Sequence, residues 1–280
     1  MDFLTQQIIG YSIDVHKELG PGLLESSYEA CLMYELLKNG ILAKQQVLIA
    51  DADVLADCEQ SINELWKNLT PAIQSKPYQP DTIRETKKQV WVANTQVNFC
   101  AKAYPTVPVS HPDAAALTVL GGFLRNGYLH RAIREQGGAY GGGASHDASI
   151  AAFRFYSYRD PRLSETLDDF DKAIDWMINE EHDSEQLEQA ILGVISSLDK
   201  PSSPAGEAKQ AFHNNLFGRT NEQRREFRQQ ILHVTLDDLK RVSRNYLQSD
   251  KASLAVVTNQ SACDQIGDFI NEQQCEVFTL

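Results

Sequence analysis

Residues 133–147 read IREQGGAYGGGASHD, setting Arg134, Glu135, Tyr140, His146 and Asp147 among Gly137, Gly138, Gly141, Gly142 and Gly143. Four chemistries compete for this stretch. A phosphate-cradling loop needs G-x-G-x-x-G or G-x-x-x-x-G-K-[ST] opening a helix. GGAYGGG is neither, and a strand pattern follows it. A hydrolytic zinc site needs two histidines one helical turn apart and a carboxylate to take the proton of water. The histidines are His16, His111, His130, His146, His182, His213 and His233, and no pair forms H-E-x-x-H or H-x-x-E-H. His182 sits among acids in EEHD, with no second histidine one turn away. Serine catalysis is no better served. G-x-S-x-G is absent, and Ser145, His146 and Asp147 are strand neighbours that alternate between faces, so they build no triad. What remains is Arg134 and Tyr140. A guanidinium at a helix end and a phenol at a strand start can converge across a glycine turn. Both are donors, suited to polarising a carbonyl or holding a developing oxyanion. On the residues alone, a surface arginine and a half-buried tyrosine beside a structural glycine turn is the plainer reading.

The elements around this stretch follow from periodicity. YLHRAIREQ (128–136) reads as a short helix ending at Gly137. SHPDAAALTVLGGFLRNG (110–127) reads as a buried helix, apolar nearly all round, with Ser110 as its N-cap. QVWVANTQVNFCAKAY alternates in two runs, as a long strand or a hairpin, and SIAAFRFYSYRD alternates Phe153 and Phe155 against Arg154, Tyr156 and Tyr158. Helices follow. Leu167, Phe170, Ile174 and Met177 form one stripe and Leu187, Ile191, Val194 and Leu198 another. The stretch 205–233 reads as helical and polar, and Thr235 with Asp238 makes a capping box. A strand (251–259), a last helix and a closing strand end the chain. Residues 3–40 read as two helices around Gly-Pro-Gly, 45–51 as a strand, 53–69 as a helix and 70–87 as a connector. The expected fold class is α+β, an antiparallel sheet with helices packed on one face, plus an N-terminal helical segment.

Composition narrows the function further. Net charge is −12, from 26 basic and 38 acidic residues, which argues against nucleic acid as a partner. No run reaches the ~18 apolar residues of a membrane span, so no membrane partner is expected. The start lacks a basic region and a compact apolar core, so it makes a poor signal peptide and the expected address is cytoplasmic. Cys31, Cys58, Cys100, Cys263 and Cys275 are odd in number, with no C-x-x-C pair, and read as buried or inert thiols.

YPTVPVSHPDAAALTVLGGFLRNGYLHRAIREQGGAYGGGASHD, with FRFYSYRDPRLSETLDDFDKAIDWM after it, closely resembles the C-terminal domain of presequence-protease-like enzymes of the pitrilysin (insulinase) family of zinc peptidases. The resemblance covers roughly residues 47–280, and LHRAIREQGGAYG with SYRDP is its most specific part. It implies a clamshell of two halves, each of two related α+β domains. The N-terminal half holds Zn, and the last domain lends an Arg and a Tyr to the scissile carbonyl, which by motif match are Arg134 and Tyr140. It implies no cofactor in this chain, Zn in the N-terminal half, and two partners, an oligopeptide substrate and the zinc-bearing half. A chain without that half is expected to be inactive alone. A non-catalytic peptide-binding or scaffold domain is the alternative.

The N-terminus resembles another family. Gly22, Glu25 and Tyr28 match the G-x-x-E-x-x-Y motif of small bacterial proteins thought to relate to PD-(D/E)xK nucleases. The match stops near residue 46, before the metal-binding Asp and E-x-K strands, so a nuclease remnant is a further alternative. The expected organisation is a helical segment over 1–46, then a strand, helix and connector over 47–87 from the end of a preceding peptidase domain. The C-terminal peptidase-like domain occupies 88–280.

Overall fold

The structure, a computed structural model, describes residues 54–55, 85–216 and 219–280. The chain divides into two units, the second spanning Ala72–Leu280, and the fold below is that unit's. The readings of 3–40, 45–51 and 53–69, and nearly all of the connector, lie outside the described residues.

Six strands form one sheet: β1 Lys88–Val92, β2 Asn98–Pro105, β3 Gly141–Asp147, β4 Ala152–Asp160, β5 Ser253–Thr258 and β6 Glu276–Thr279. Their order is β3-β4-β2-β5-β1-β6. β3/β4, β4/β2 and β2/β5 are antiparallel, while β1 pairs in parallel with β5 and with β6. The sheet is therefore mixed, antiparallel on the side that carries the 133–147 stretch. The α+β expectation holds. The two runs at 89–104 are not one strand or a hairpin, because β5 inserts between β1 and β2.

The helices are α1 Ala114–Leu124, α2 Arg125–Gln136, α3 Ser164–Asn179, α4 Ser184–Leu198, α5 Pro204–Leu216, α6 Asn221–Leu232, α7 Leu236–Tyr246, α8 Gln260–Gln265 and α9 Gly267–Gln273. α1 is buried along most of its length, as its apolar sequence requires. It lies close on β3, since a Cβ at Gly121 would come within 2.9 Å of the Ser145 Cα. α3 buries Leu167, Phe170, Ile174 and Met177, the stripe read from sequence. The stripe on α4 is only half-buried, and Leu198 is exposed. Thr235 and Asp238 cap α7 reciprocally. Ser110 does not cap α1. The helix begins at Ala114, and the Asp113 carboxylate accepts from the Tyr246 hydroxyl at 2.7 Å and pairs with Arg241 at 2.7 Å. Burial works against that carboxylate, yet these two donors hold it below its ordinary range.

The core lies between the sheet and the helices. Phe153 and Phe155 of β4 pack edge-on at 5.4 Å, and Phe155 meets Phe170 at 5.5 Å. Each such buried ring contributes roughly 1.5–3 kcal/mol. Cys100 and Cys263 are buried free thiols, and burial pushes Cys100 up to about 12. The alternate positions, Tyr156 and Tyr158 of β4 with Phe99 and Ala101 of β2, lie on the opposite, wetter face.

Candidate functional site

α1 runs directly into α2, which is wound as a π-helix. Such winding is rare and costs regular backbone bonding, so it persists where neighbours over-determine it, frequently at functional sites. Leu129 and Ile133 face the core and anchor α2, which leaves Arg134 exposed in its last turn. The helix closes on Gly138, at φ 79°. The Gly138 N–H donates to the Arg134 carbonyl at 3.1 Å, and the Ala139 N–H to that of Ile133 at 3.1 Å. Each loop is one residue wider than in a Schellman ending, as π winding demands, and the left-handed position between them suits only glycine at low cost.

Gly137 has a different reason. A Cβ there would lie 2.0 Å from Nη2 of Arg162 and 2.4 Å from the Ile133 carbonyl oxygen. The Arg162 guanidinium fills that space. It donates to the Ala132 carbonyl at 3.0 Å and to the Asp169 carboxylate at 3.0 Å, tying α2 to α3. Its buried Nε is left without a partner. Arg162 is itself fixed from below, because the fully buried Asp160 carboxylate accepts from its backbone N–H at 2.9 Å and from the Thr166 hydroxyl at 2.8 Å.

Tyr140 stands one residue before β3, and its N–H donates to the Arg159 carbonyl at 3.3 Å. The side chain is 66% exposed, so the half-buried expectation for this tyrosine is corrected. Its ring has Tyr158 at 5.7 Å on β4 and the Arg159 guanidinium at 5.8 Å. Gly141 leaves room for Tyr158, whose hydroxyl a Cβ at 141 would meet at 2.5 Å. Arg134 and Tyr140 thus flank one anchored turn, both exposed. Among the described residues no hydrogen bond or ion pair engages either side chain, and none joins them. Arg159 and Arg162 were not singled out from sequence, although the SYRDP run that carries the resemblance contains the first and abuts the second.

The remaining polar residues of the stretch are occupied. Nε2 of His146 lies 3.1 Å from the Thr106 hydroxyl, and Nδ1 lies 3.3 Å from that of Thr118. Burial lowers its titration below the ordinary histidine range. Ser145 accepts from Arg154 at 3.1 Å, and Asp147 accepts from the Ser149 N–H at 3.1 Å, so the three form no triad. Among the described residues no group of three or more His, Cys, Asp or Glu side chains is placed to hold a metal ion. His111 accepts from the Asp113 N–H, His182 lies 3.1 Å from the Met177 carbonyl oxygen, and His130 pairs with Glu135. These residues do not fit a zinc ion. A cavity of about 1360 Å³ is lined by Thr118 and His146 together with Asp199, Glu207, Arg224 and Phe227 among others, and neither Arg134 nor Tyr140 borders it. No helix among the described residues is long and apolar enough to cross a membrane. His16, Gly22, Glu25 and Tyr28 lie outside the described residues.

Comparison with known proteins bears on this site. The PreP C-terminal domain family matches residues 88–260. The mitochondrial presequence protease of Kluyveromyces lactis is 41% identical over 163 residues, 58% of this chain and 16% of the relative. That of Yarrowia lipolytica is 43% identical over 152 residues, 54% of this chain and 15% of the relative. The chain therefore spans about a sixth of the length of these relatives. Pitrilysin shares the fold at 15% identity and a TM-score of 0.52, over 91% of this chain and 30% of that one. An inactive domain of peptidase M16 from Pseudomonas fluorescens does so at 18% identity and a TM-score of 0.53, over 76% and 52%. Residues 2–56 match the PD-(D/E)XK nuclease superfamily, in line with the resemblance read at the N-terminus. The cytoplasmic expectation is overturned, because these presequence proteases are named mitochondrial. With its match over most of the length and its pitrilysin-like α+β fold, the chain belongs to the PreP C-terminal domain family.

Proposed function

We propose that this chain supplies the substrate-side wall of a presequence-protease-like peptidase that degrades oligopeptides in mitochondria. Arg134 and Tyr140 hydrogen-bond the carbonyl oxygen of the scissile peptide bond and the negative charge that develops on it. The observation that supports this is the anchored turn between α2 and β3, which leaves two exposed donors with no hydrogen bond or ion pair among the described residues. A guanidinium and a phenol add charge-assisted and neutral hydrogen bonds to the oxygen, and neither takes a proton at neutral pH. Zn, which the described residues do not fit, belongs to an N-terminal half that is the chain's partner. The chain alone is inactive in this reading. The organisation proposed with it is 1–46 as a segment of nuclease-like descent, 47–87 as the end of a preceding peptidase domain, and 88–280 as the substrate-side domain.

The test is reconstitution. The purified chain, a separately made zinc-bearing half and an equimolar mixture are each incubated with a quenched-fluorescence oligopeptide. Cleavage by the mixture alone supports the proposal. Peptidase activity of the chain alone, or an inert mixture whose halves associate, contradicts it.

A further inference from the structure

Arg159 is left without a task by this reading, and its geometry is unusual. It lies in a bulge of β4, where Asn98 and Cys100 of β2 oppose Asp160 and Ser157, so two steps of one strand face three of the other. Its φ is 50°, a left-handed conformation that arginine rarely adopts. The backbone around it is pinned. The Asn98 amide donates to the Asp160 and Arg162 carbonyls, and the Arg159 carbonyl accepts from Tyr140. In a regular strand Tyr158 and Arg159 would point to opposite faces. The bulge re-aims them, so both side chains lean on the Tyr140 ring. Backbone held in this region by its surroundings is a place to look for function.

The charge of Arg159 is also unanswered. Arg154, Arg162, Arg228 and Arg241 each pair with an aspartate. Exposed Arg159 has no carboxylate partner among the described residues, and a ring face cannot accept its five fork-like N–H donors. Within 125–162 there are six arginines against Glu135, Asp147 and Asp160, in a chain whose net charge is −12.

We infer that Arg159 binds a carboxylate of the peptide, beside the bond held at Arg134 and Tyr140. The carboxylate comes from an acidic side chain or from the free C-terminus, and the guanidinium fork matches either. The inference rests on the peptide-binding part of the proposed function. It makes Arg159 a specificity residue, with the Tyr140 ring as its support.

The test uses the full chain and peptide pairs of one sequence, labelled at the N-terminus and followed by fluorescence anisotropy. One pair differs as C-terminal acid against amide, the other as Glu against Gln at a central position. At low salt, one acid form should bind the wild-type chain about tenfold tighter than its neutral twin, or about 1.4 kcal/mol. Arg159→Gln should abolish that preference, and Arg159→Lys should restore part of it. Whichever pair shows the preference identifies the source of the carboxylate. Peptides that bind the wild-type chain without acid preference overturn the inference and leave the proposed function standing. No binding of any peptide overturns the inference together with the proposed substrate site. An acid preference that survives in a folded Arg159→Gln chain also overturns the inference, because a neighbouring arginine then holds the carboxylate, and Arg159→Lys gives the second reading where Arg159→Gln fails to fold.

Discussion

Gly137→Ala tests how the turn below Arg134 and Tyr140 is held. The residue has φ −81° and ψ −23°, so alanine meets no dihedral objection. The objection is spatial, because the new Cβ would sit 2.0 Å from Arg162 Nη2 and 2.4 Å from the Ile133 carbonyl oxygen. Overpacking of this kind costs about 1–3 kcal/mol. Displacing Arg162 also breaks its bonds to Ala132 and Asp169, in a pair whose side chains are only 26% and 13% exposed. Hydrogen bonds to charged groups contribute about 1.5–3 kcal/mol. A stiffer unfolded chain returns about 0.4–1 kcal/mol. The net expectation is a loss of about 3 kcal/mol, a fall in Tm of about 6–12 °C for a unit of this size. The assay is thermal unfolding of Gly137→Ala, Arg162→Ala and the double variant. If Arg162 is what the new methyl strikes, the costs are not additive, and the double variant is about 1–2 kcal/mol more stable than the sum of the singles. Strict additivity, or a Gly137→Ala chain as stable as wild type, refutes the reasoning.

Two other effects follow from the same contacts. Thr235→Ala removes the reciprocal cap of α7, in which Thr235 accepts from the Asp238 N–H at 3.2 Å, and should cost about 1 kcal/mol by urea unfolding; an unchanged urea midpoint contradicts it. Acidification should destabilise the fold in two windows. Burial holds His146 below the ordinary histidine value of about 6.5, so the unfolded chain takes up its proton first and stability falls as pH drops through that value. Asp113 is held below 3.8, so its contribution is present above that pH and lost beneath it. His146→Gln should flatten the slope of stability between pH 7 and 5, and a slope that survives unchanged counts against the assignment.

Local patterns were readable where a single element decides them. The alternation of Phe153 and Phe155 with Arg154, Tyr156 and Tyr158 carries β4, the α3 stripe carries its buried face, and Thr235 with Asp238 carries the α7 cap. Non-local choices were not readable. Nothing in the 89–104 stretch states that β5, Ser253–Thr258, inserts between its two runs. Ser110 looked like a cap because sequence cannot show that Asp113 is claimed by Tyr246 and Arg241 from α7. At the site, the glycine pairs announced a turn between Arg134 and Tyr140. Tyr140 is exposed, and the bulge in β4 that sets Arg159 against its ring is concealed by a β-strand pattern. Arg162 carries no signal of its own in the sequence, because its partner atoms lie on α2 and α3.

The central claim is that Arg134 and Tyr140 act on the reacting carbonyl, and the direct measurement is kcat and KM for the reconstituted halves with each residue changed. Arg134→Ala and Tyr140→Phe should each lower kcat about 10²–10³-fold with KM little altered, as expected for donors that strengthen in the transition state. Variants that associate with the zinc-bearing half and retain kcat within about twofold of wild type would contradict the account.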